Sequence, residues 1–285
     1  VVEIGSNDGT FLKAFQARGM QGLGIEGANR ASEVAVSDGV PTITRFFGKG
    51  MGPSIREHFP EGSRIRLILA MNVLAHTDNI NEFLPEVLTF MEPDTVFVSS
   101  SHWLLELIQN FEFDTIYHEH QRYYTLGSLL HLFQRHGLNA IDAERTDFYG
   151  GSILVSARTG STKQSEQVLK LLNREKQIDV PQALRHMKRE LLINKARILN
   201  ILVDAKKSGS RTVGIGAPMK ASTLLNYYGI TSDLVEYIGE VNRLKIGTAV
   251  PGVGIPVVHE DLLFEDQPDY ALLLSWNMAD DIIPK

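Results

Sequence analysis

The sequence predicts an α/β fold: a Rossmann-like domain with a doubly wound sheet, then a helical connection and a second, smaller Rossmann-like α/β domain. Three observations predict it. Short apolar runs alternate with helical stretches from the first residue onward. Two of these runs, Val1-Val-Glu-Ile4 and Arg211-Thr-Val-Gly-Ile-Gly216, carry glycine turns that lead to a helix. Between them, from Lys163 to Lys207, apolar residues recur only at helical spacing.

The elements follow in order. Val1 to Ile4 reads as a buried strand, Gly5 to Gly9 as a tight turn, and Thr10 to Arg18 as a helix with Phe11, Leu12 and Phe15 inward. Gly22-Leu-Gly-Ile-Glu26 is a second strand ending in an acid, with a helix through Val36. Ile65 to Ala70 is a near-continuous apolar strand, the kind that a parallel sheet covers on both faces. A helix from Ile80 to Phe90 and a strand from Val96 to Ser99 follow, then a helix from Leu129 to His136. Ala140 to Ala143 and Ile153 to Ala157 read as two late strands flanking Gly150-Gly151. The helical spacing after Lys163 is broken by Pro181, so the stretch reads as two helices joined near that residue. Strands near Val235 to Gly239 and Tyr270 to Leu274 complete the last unit. The expected domains are 1–158, 159–210 and 211–285.

Composition narrows the function classes. The chain has 285 residues and is 43% hydrophobic, enough for one large core or two modest ones. Its 28 Lys and Arg against 34 Asp and Glu give a formal net charge of −6, with no basic stripe, which argues against nucleic acid as a partner. Without cysteine there is no disulfide, thiolate chemistry or cysteine-held zinc within this sequence. No apolar run approaches the roughly 20 residues needed to span a bilayer. A cytoplasmic setting is expected, with no membrane partner. Because the sequence starts without Met inside a strand, a further N-terminal portion is expected.

Two segments concentrate chemistry. Val2-Glu-Ile-Gly-Ser-Asn-Asp-Gly-Thr10 has the form E-x-G-x-x-x-G at a strand-to-helix turn, where free amides face a ligand. Asn7 stands where a dinucleotide fingerprint has its second glycine, and with Asp8 it suits a charged methionine-like tail better than a pyrophosphate. Glu26 ends the next strand where an acid meets ribose hydroxyls. Asn72, ending the Ile65 to Ala70 strand, is either at the ligand edge or a helix cap. The second segment, Phe113-Asp-Thr-Ile-Tyr-His-Glu-His120, sets two imidazoles, a phenol and a carboxylate side by side. Histidine exchanges protons near neutral pH, and tyrosine can donate to a developing oxyanion. Acid–base catalysis, a structural polar network and a metal site at His118 and His120 are the competing readings; further metal ligands are not evident, and no metal is assigned. Gly214-Ile-Gly216 could cradle phosphate with Lys220 as a point charge, or be a plain turn. Asn242, Arg243 and Lys245 form a ligand-contacting group or an exposed loop.

These blocks together resemble the sugar C-methyltransferases. The resemblance rests on Val2-Glu-Ile-Gly-Ser-Asn-Asp-Gly9, Asn72-Val-Leu-Ala-His76, Glu112 through His120, and Gly150-Gly-Ser152. It continues through Gly214-Ile-Gly-Ala-Pro-Met-Lys220 to Tyr227, Pro251-Gly-Val-Gly-Ile-Pro256 and Leu272-Leu-Leu-Ser-Trp-Asn277, covering essentially the whole chain. It implies S-adenosylmethionine as cofactor and a nucleotide-linked 4-keto-deoxysugar as substrate, methylated at a ring carbon, C3, through an enolate. His120 would be the base and Tyr117 its partner at the sugar, with His118 and Glu119 shaping the site. Gly5, Asn7, Asp8, Gly9, Glu26 and Asn72 would face the cofactor. Gly151, Ser152, Lys220, Asn226, Asn242 and Lys245 would serve the sugar nucleotide. The resemblance also implies an N-terminal zinc module, which is not expected within this sequence because it contains no cysteine, and Ser99-Ser-Ser-His102 stands where an acid is expected. The alternatives are a non-catalytic or truncated sugar-nucleotide-binding relative, a sugar O-methyltransferase and a nicotinamide oxidoreductase.

Overall fold

The computed structural model describes residues 1–283; Pro284 and Lys285, the last residues of the expected third domain, lie outside the described residues. The chain forms two compact units, one of Val1–Glu106 and Glu119–Ile178, the other of Leu107–His118 and the residues from Asp179 onward.

In the first unit, the chain runs β1 (Val2–Ile4), α1 (Thr10–Gln16), β2 (Leu23–Glu26), α2 (Asn29–Ser37), β3 (Thr42–Thr44) and α3 (Gly52–Glu57). It continues through β4 (Leu67–Met71), α4 (Ile80–Thr89), β5 (Val96–His102) and α5 (Leu104–Gln109), along which it passes to the second unit. On its return it forms α6 (Leu126–Arg135), β6 (Leu138–Thr146), β7 (Ser152–Thr159) and α7 (Glu166–Lys176). The seven strands lie in the order β3-β2-β1-β4-β5-β7-β6. The first five are parallel, and β7 runs antiparallel to both β5 and β6. Val2 and Ile4 of β1, with Ile68 and Ala70 of β4, are essentially without solvent exposure, as expected of central strands covered on both faces.

The structure departs from the sequence reading at several places, three of which have a plain physical reason. Of the three residues expected inward on α1, only Leu12 is buried; Phe11 is 44% exposed, because a helix of seven residues turns little of its surface to the sheet. The strand β5 does not stop at Ser99. Ser99, Ser100 and Ser101 pair with Val155, Leu154 and Ile153 and are buried, although their composition resembles a loop. The short elements β3 and α3 carry too few residues to show a period.

The second unit holds a 3-10 turn (Phe113–Thr115), α8 (Val180–Lys207), β8 (Thr212–Ile215), α9 (Met219–Tyr228), β9 (Ile238–Glu240) and β10 (Val257–His259). After these come α10 (Asp261–Asp266), β11 (Tyr270–Leu273) and α11 (Ala279–Ile282). Its parallel sheet has the order β10-β9-β8-β11 and a core that includes Leu225, Tyr228, Ile230 and Ile238. Of the helical stretch, α7 packs on β6 in the first unit and α8 belongs to the second. Pro181 sits in the first turn of α8, where its missing N–H costs nothing, and the Asp179 carboxylate caps that turn by accepting from Gln182 N at 2.9 Å. Among the described residues, no helix is long and apolar enough to cross a membrane.

Candidate functional site

The strand order reverses between β1 and β4, and ligands of open α/β sheets bind at the carboxyl ends of strands beside such a reversal. The glycine loop leaves β1 at that point. Gly5, Asn7 and Gly9 have φ of 70°, 51° and 74°, the left-handed region that glycine and asparagine tolerate. Two acids hold the loop. The Glu26 carboxylate accepts from Asn7 N at 2.8 Å and from Ala28 N at 2.7 Å. Asp8 accepts from the Thr10 hydroxyl at 2.7 Å and its amide at 3.1 Å, and the hydroxyl's bond leads in holding Asp8 below the ordinary carboxylate range.

A cavity of about 250 Å³ opens over the loop. Glu3, Asn7, Asp8, Asn72 and Ser100 supply its polar wall, and Phe11, Phe148 and Tyr149 its aromatic side. Gly9 and Glu26 stand outside that lining: Gly9 caps α1, and Glu26 acts from behind the loop. Asn72, with φ 55° and its amide donating to Ser100 O at 3.0 Å, faces the cavity, whereas α4 is capped by Asn79. Glu3 is the residue that sequence reasoning passed over, although it is the acid of E-x-G. It is 1% exposed, and its Oε2 has no hydrogen-bond partner. Burial, reinforced by the charges of Asp8 and Glu26, pushes its pKa up to about 8. A buried carboxyl without a partner, on the wall of an acid-lined cavity, fits the cationic tail of S-adenosylmethionine.

The Tyr-His-Glu-His run is divided. Between His118 and Glu119 the chain passes from the second unit to the first. Within the first unit, His120 meets His76, with ring centroids 4.7 Å apart at 71°. The local backbone explains this meeting. Gln121 N donates to Ala75 O at 2.9 Å, and the Arg122 guanidinium donates to the Thr77 and Asp78 carbonyls, tying the returning segment to the loop after β4. Burial lowers the His76 pKa, partly countered by Glu119. In the sequence His76 is only the last residue of the block Asn72-Val-Leu-Ala-His76, and nothing local marks it as a partner of His120.

In the second unit, Tyr117 and His118 line a cavity of about 530 Å³ with the start of α9, Asn226 and Lys245. The Asn226 amide donates to Ser222 O at 2.8 Å and Pro251 O at 2.9 Å, and the Lys245 ammonium to Ala217 O at 2.7 Å. Asn242 lies outside the lining and closes its own turn by accepting from Leu244 N at 3.0 Å. Lys220 is also outside it, with Nζ 3.4 Å from Asp114 Oδ2. Glu240, not anticipated from the sequence, ends β9 and accepts from Ala217, Val241 and Asn242 amides at 2.8–2.9 Å. It thus holds the second glycine turn as Glu26 holds the first.

Gly151 and Ser152 shape a loop of the first unit. Gly151 has φ 139°, and a Cβ there would stand 2.6 Å from the Glu106 Cβ. The Ser152 hydroxyl donates to Phe148 O at 2.9 Å. Together they present Phe148 and Tyr149, the latter at φ 56°, to the first cavity. Among the described residues, no group of three His, Asp or Glu could hold a metal ion.

Residues 1–143 match the family described as a methyltransferase domain, and residues 147–285 match the C-methyltransferase C-terminal domain. The C-methyltransferase NovU of Streptomyces niveus is 34% identical over 289 aligned positions, covering 99% of this chain and 68% of NovU. The chain belongs to the C-methyltransferases. It is an S-adenosylmethionine-dependent enzyme, built on two Rossmann-like sheets. Among solved structures, the CcbJ methyltransferase of Streptomyces caelestis aligns with a TM-score of 0.42 at 12% identity, over 56% of this chain and 83% of that one. The YcgJ protein of Bacillus subtilis aligns with a TM-score of 0.41 at 12% identity, over 56% and 91%.

Proposed function

We propose that this C-methyltransferase methylates a ring carbon, C3, of a nucleotide-linked 4-keto-deoxysugar, with His120 as the base. The observation that carries the reading is the His76–His120 pair, with rings 4.7 Å apart in the unit that also holds the glycine-loop cavity. When bound, S-adenosylmethionine supplies an electrophilic methyl group. Glu3, the loop from Gly5 through Asp8 to Gly9, and Asn72 are the residues that would hold it, with Glu26 supporting the loop.

A ketone acidifies the neighbouring C–H, yet a base must still stand within hydrogen-bond reach of the proton. His120 takes that proton and leaves an enolate whose carbon is nucleophilic. The Tyr117 phenol donates to the enolate oxygen, a role that preorganised donors fill at low reorganisation cost. Burial holds His76 below the ordinary imidazole value and so disfavours a positive charge there, which would oppose protonation of its neighbour His120. His118 and Glu119 shape the surroundings of these two groups. Asn226 and Lys245, on the wall of the second unit's cavity, are assigned to the nucleotide. A cytoplasmic setting fits a cofactor and substrate of this chemistry.

The test is incubation with a nucleotide-linked 4-keto-deoxysugar in deuterated water, with and without S-adenosylmethionine, followed by NMR and mass spectrometry. Deuterium should enter beside the ketone without cofactor, and a methyl group should appear at that carbon with it. Base catalysis is typically worth about 10² to 10⁴ in rate, so His120→Ala should lose both signals while still binding cofactor. Undiminished turnover in His120→Ala, or a methyl group on oxygen, would overturn the reading.

A further inference from the structure

The second unit contains a buried ion pair that the proposed chemistry does not use. Asp114 has no solvent exposure, and its Oδ2 accepts from the Trp276 indole N–H at 2.7 Å. The Lys220 ammonium lies 3.4 Å from the same oxygen and 4.3 Å from the centroid of the Trp276 ring. Oδ1 of Asp114 has no hydrogen-bond partner. Burial acts on both members, pushing the Asp114 pKa up and the Lys220 pKa down. A buried pair of this kind adds little stability over an apolar substitute, because desolvation offsets the attraction. Its value lies in what it fixes in place.

What it fixes is the 3-10 turn Phe113–Thr115, just ahead of Tyr117. The Phe113 ring packs against Tyr227 and Tyr228 of α9, with centroids 5.1 and 5.3 Å away. Thr115 Oγ1 donates to Glu112 O at 2.7 Å and closes the turn on itself. Asp114 then joins the turn to two further places: Lys220 in the first turn of α9 and Trp276 after β11. Beside the Phe113 packing, one carboxylate therefore ties the turn ahead of Tyr117 and His118 to α9, with which they share the wall of the cavity of about 530 Å³. We infer that Asp114, Lys220 and Trp276 form a clamp that positions Tyr117 on the cavity wall. In this role, Lys220 serves Asp114 rather than a phosphate, consistent with a side chain only 12% exposed.

The inference rests on the proposed use of Tyr117 only for its effect on turnover, so the test reads position and turnover separately. The full chain is labelled with 3-fluorotyrosine, and the Tyr117 fluorine resonance is assigned by its loss in Tyr117→Phe. Tyr237, whose hydroxyl contacts Leu262 O and Asp266 in the same unit, serves as the reference for intact folding. In Lys220→Met the Tyr117 resonance should shift or split while that of Tyr237 stays in place. The value of kcat should fall about 10- to 100-fold, as expected for a displaced catalytic group, with cofactor Kd unchanged, and Lys220→Arg should restore most of it. Should Lys220→Met fail to fold, Trp276→Phe keeps an aromatic face for Lys220, removes only the indole donor and is read in the same way. An unmoved Tyr117 resonance in the folded variants would overturn the clamp. A moved resonance together with normal turnover in Tyr117→Phe would uphold the clamp and remove the chemistry proposed for Tyr117.

Discussion

The imidazoles of His76 and His120 stand edge to face, 4.7 Å between centroids, although one follows β4 and the other ends a segment returning from the second unit. Their contact gives a pair of imidazoles to the unit that also holds the glycine-loop cavity. The lowered His76 pKa fixes a sign. The folded state binds protons less readily than the unfolded chain, so this residue costs stability as pH falls through the ordinary value of 6.5. His76→Phe keeps the ring and removes the titration. Melting curves should show it losing less thermal stability than the parent between pH 7 and pH 5.5, and turnover should fall at every pH.

Glu3 titrates in the opposite sense. With a pKa of about 8 against a reference of 4.5, its burial is tolerated fully only below the lower value, and stability declines as pH rises toward 8. Glu3→Gln should therefore raise the melting temperature more at pH 8 than at pH 5. A cationic ligand favours the ionised carboxylate. Cofactor affinity in the parent should accordingly increase from pH 6 to pH 8, with proton release near pH 7. Titration calorimetry in buffers of different ionisation enthalpy measures that release, and it should vanish in Glu3→Gln, which should also bind more weakly.

Gly151 tests whether a motif glycine serves the substrate or the fold. Its φ of 139° and the 2.6 Å approach of a Cβ to Glu106 make any side chain both strained and overpacked. Gly151→Ala should cost roughly 3 kcal/mol or more in urea unfolding. The KM for the sugar nucleotide should change little in the protein that remains folded. A raised KM at unchanged stability would return Gly151 to the substrate.

Glu175, near the end of α7, accepts from the Trp103 indole at 2.6 Å, from Gly127 N at 2.9 Å and from Leu126 N. The Arg174 guanidinium lies over the Trp103 ring, 5.0 Å from its centroid. Trp103 has no exposure, so removing the carboxylate strands a buried donor and takes the acceptor from the Leu126 and Gly127 amides in the first turn of α6, whose Thr125 cap remains. Glu175→Ala should destabilise by about 2–3 kcal/mol, seen as a lower urea midpoint with the same slope.

Much of the fold was legible because strand burial is written locally. The apolar runs of β1, β2 and β4 declare their parallel, two-sided covering, and the glycine turns mark where the sheet's carboxyl edge meets a ligand. Asn7, Asp8 and Asn72 could be named from that rule alone, and the cavity does contain them. Phe11 could not, because helical period states which face is apolar without stating whether the sheet reaches it.

The sequence by itself determined the two α/β sheets, the glycine loop with its acids and the concentration of imidazole, phenol and carboxylate side chains around residue 117. Tertiary structure alone decided how those side chains are shared out. Four consecutive residues, Tyr117 to His120, part between two units, and His120 finds His76 while Tyr117 and His118 join α9 at the second cavity. Lys220, readable as a phosphate-binding charge, has its ammonium 3.4 Å from the Asp114 carboxylate. The physical reason is common to these cases. Period and composition report each residue's preference for water or core, whereas a buried charge or an imidazole is governed by the particular partner that packing brings within a few ångströms.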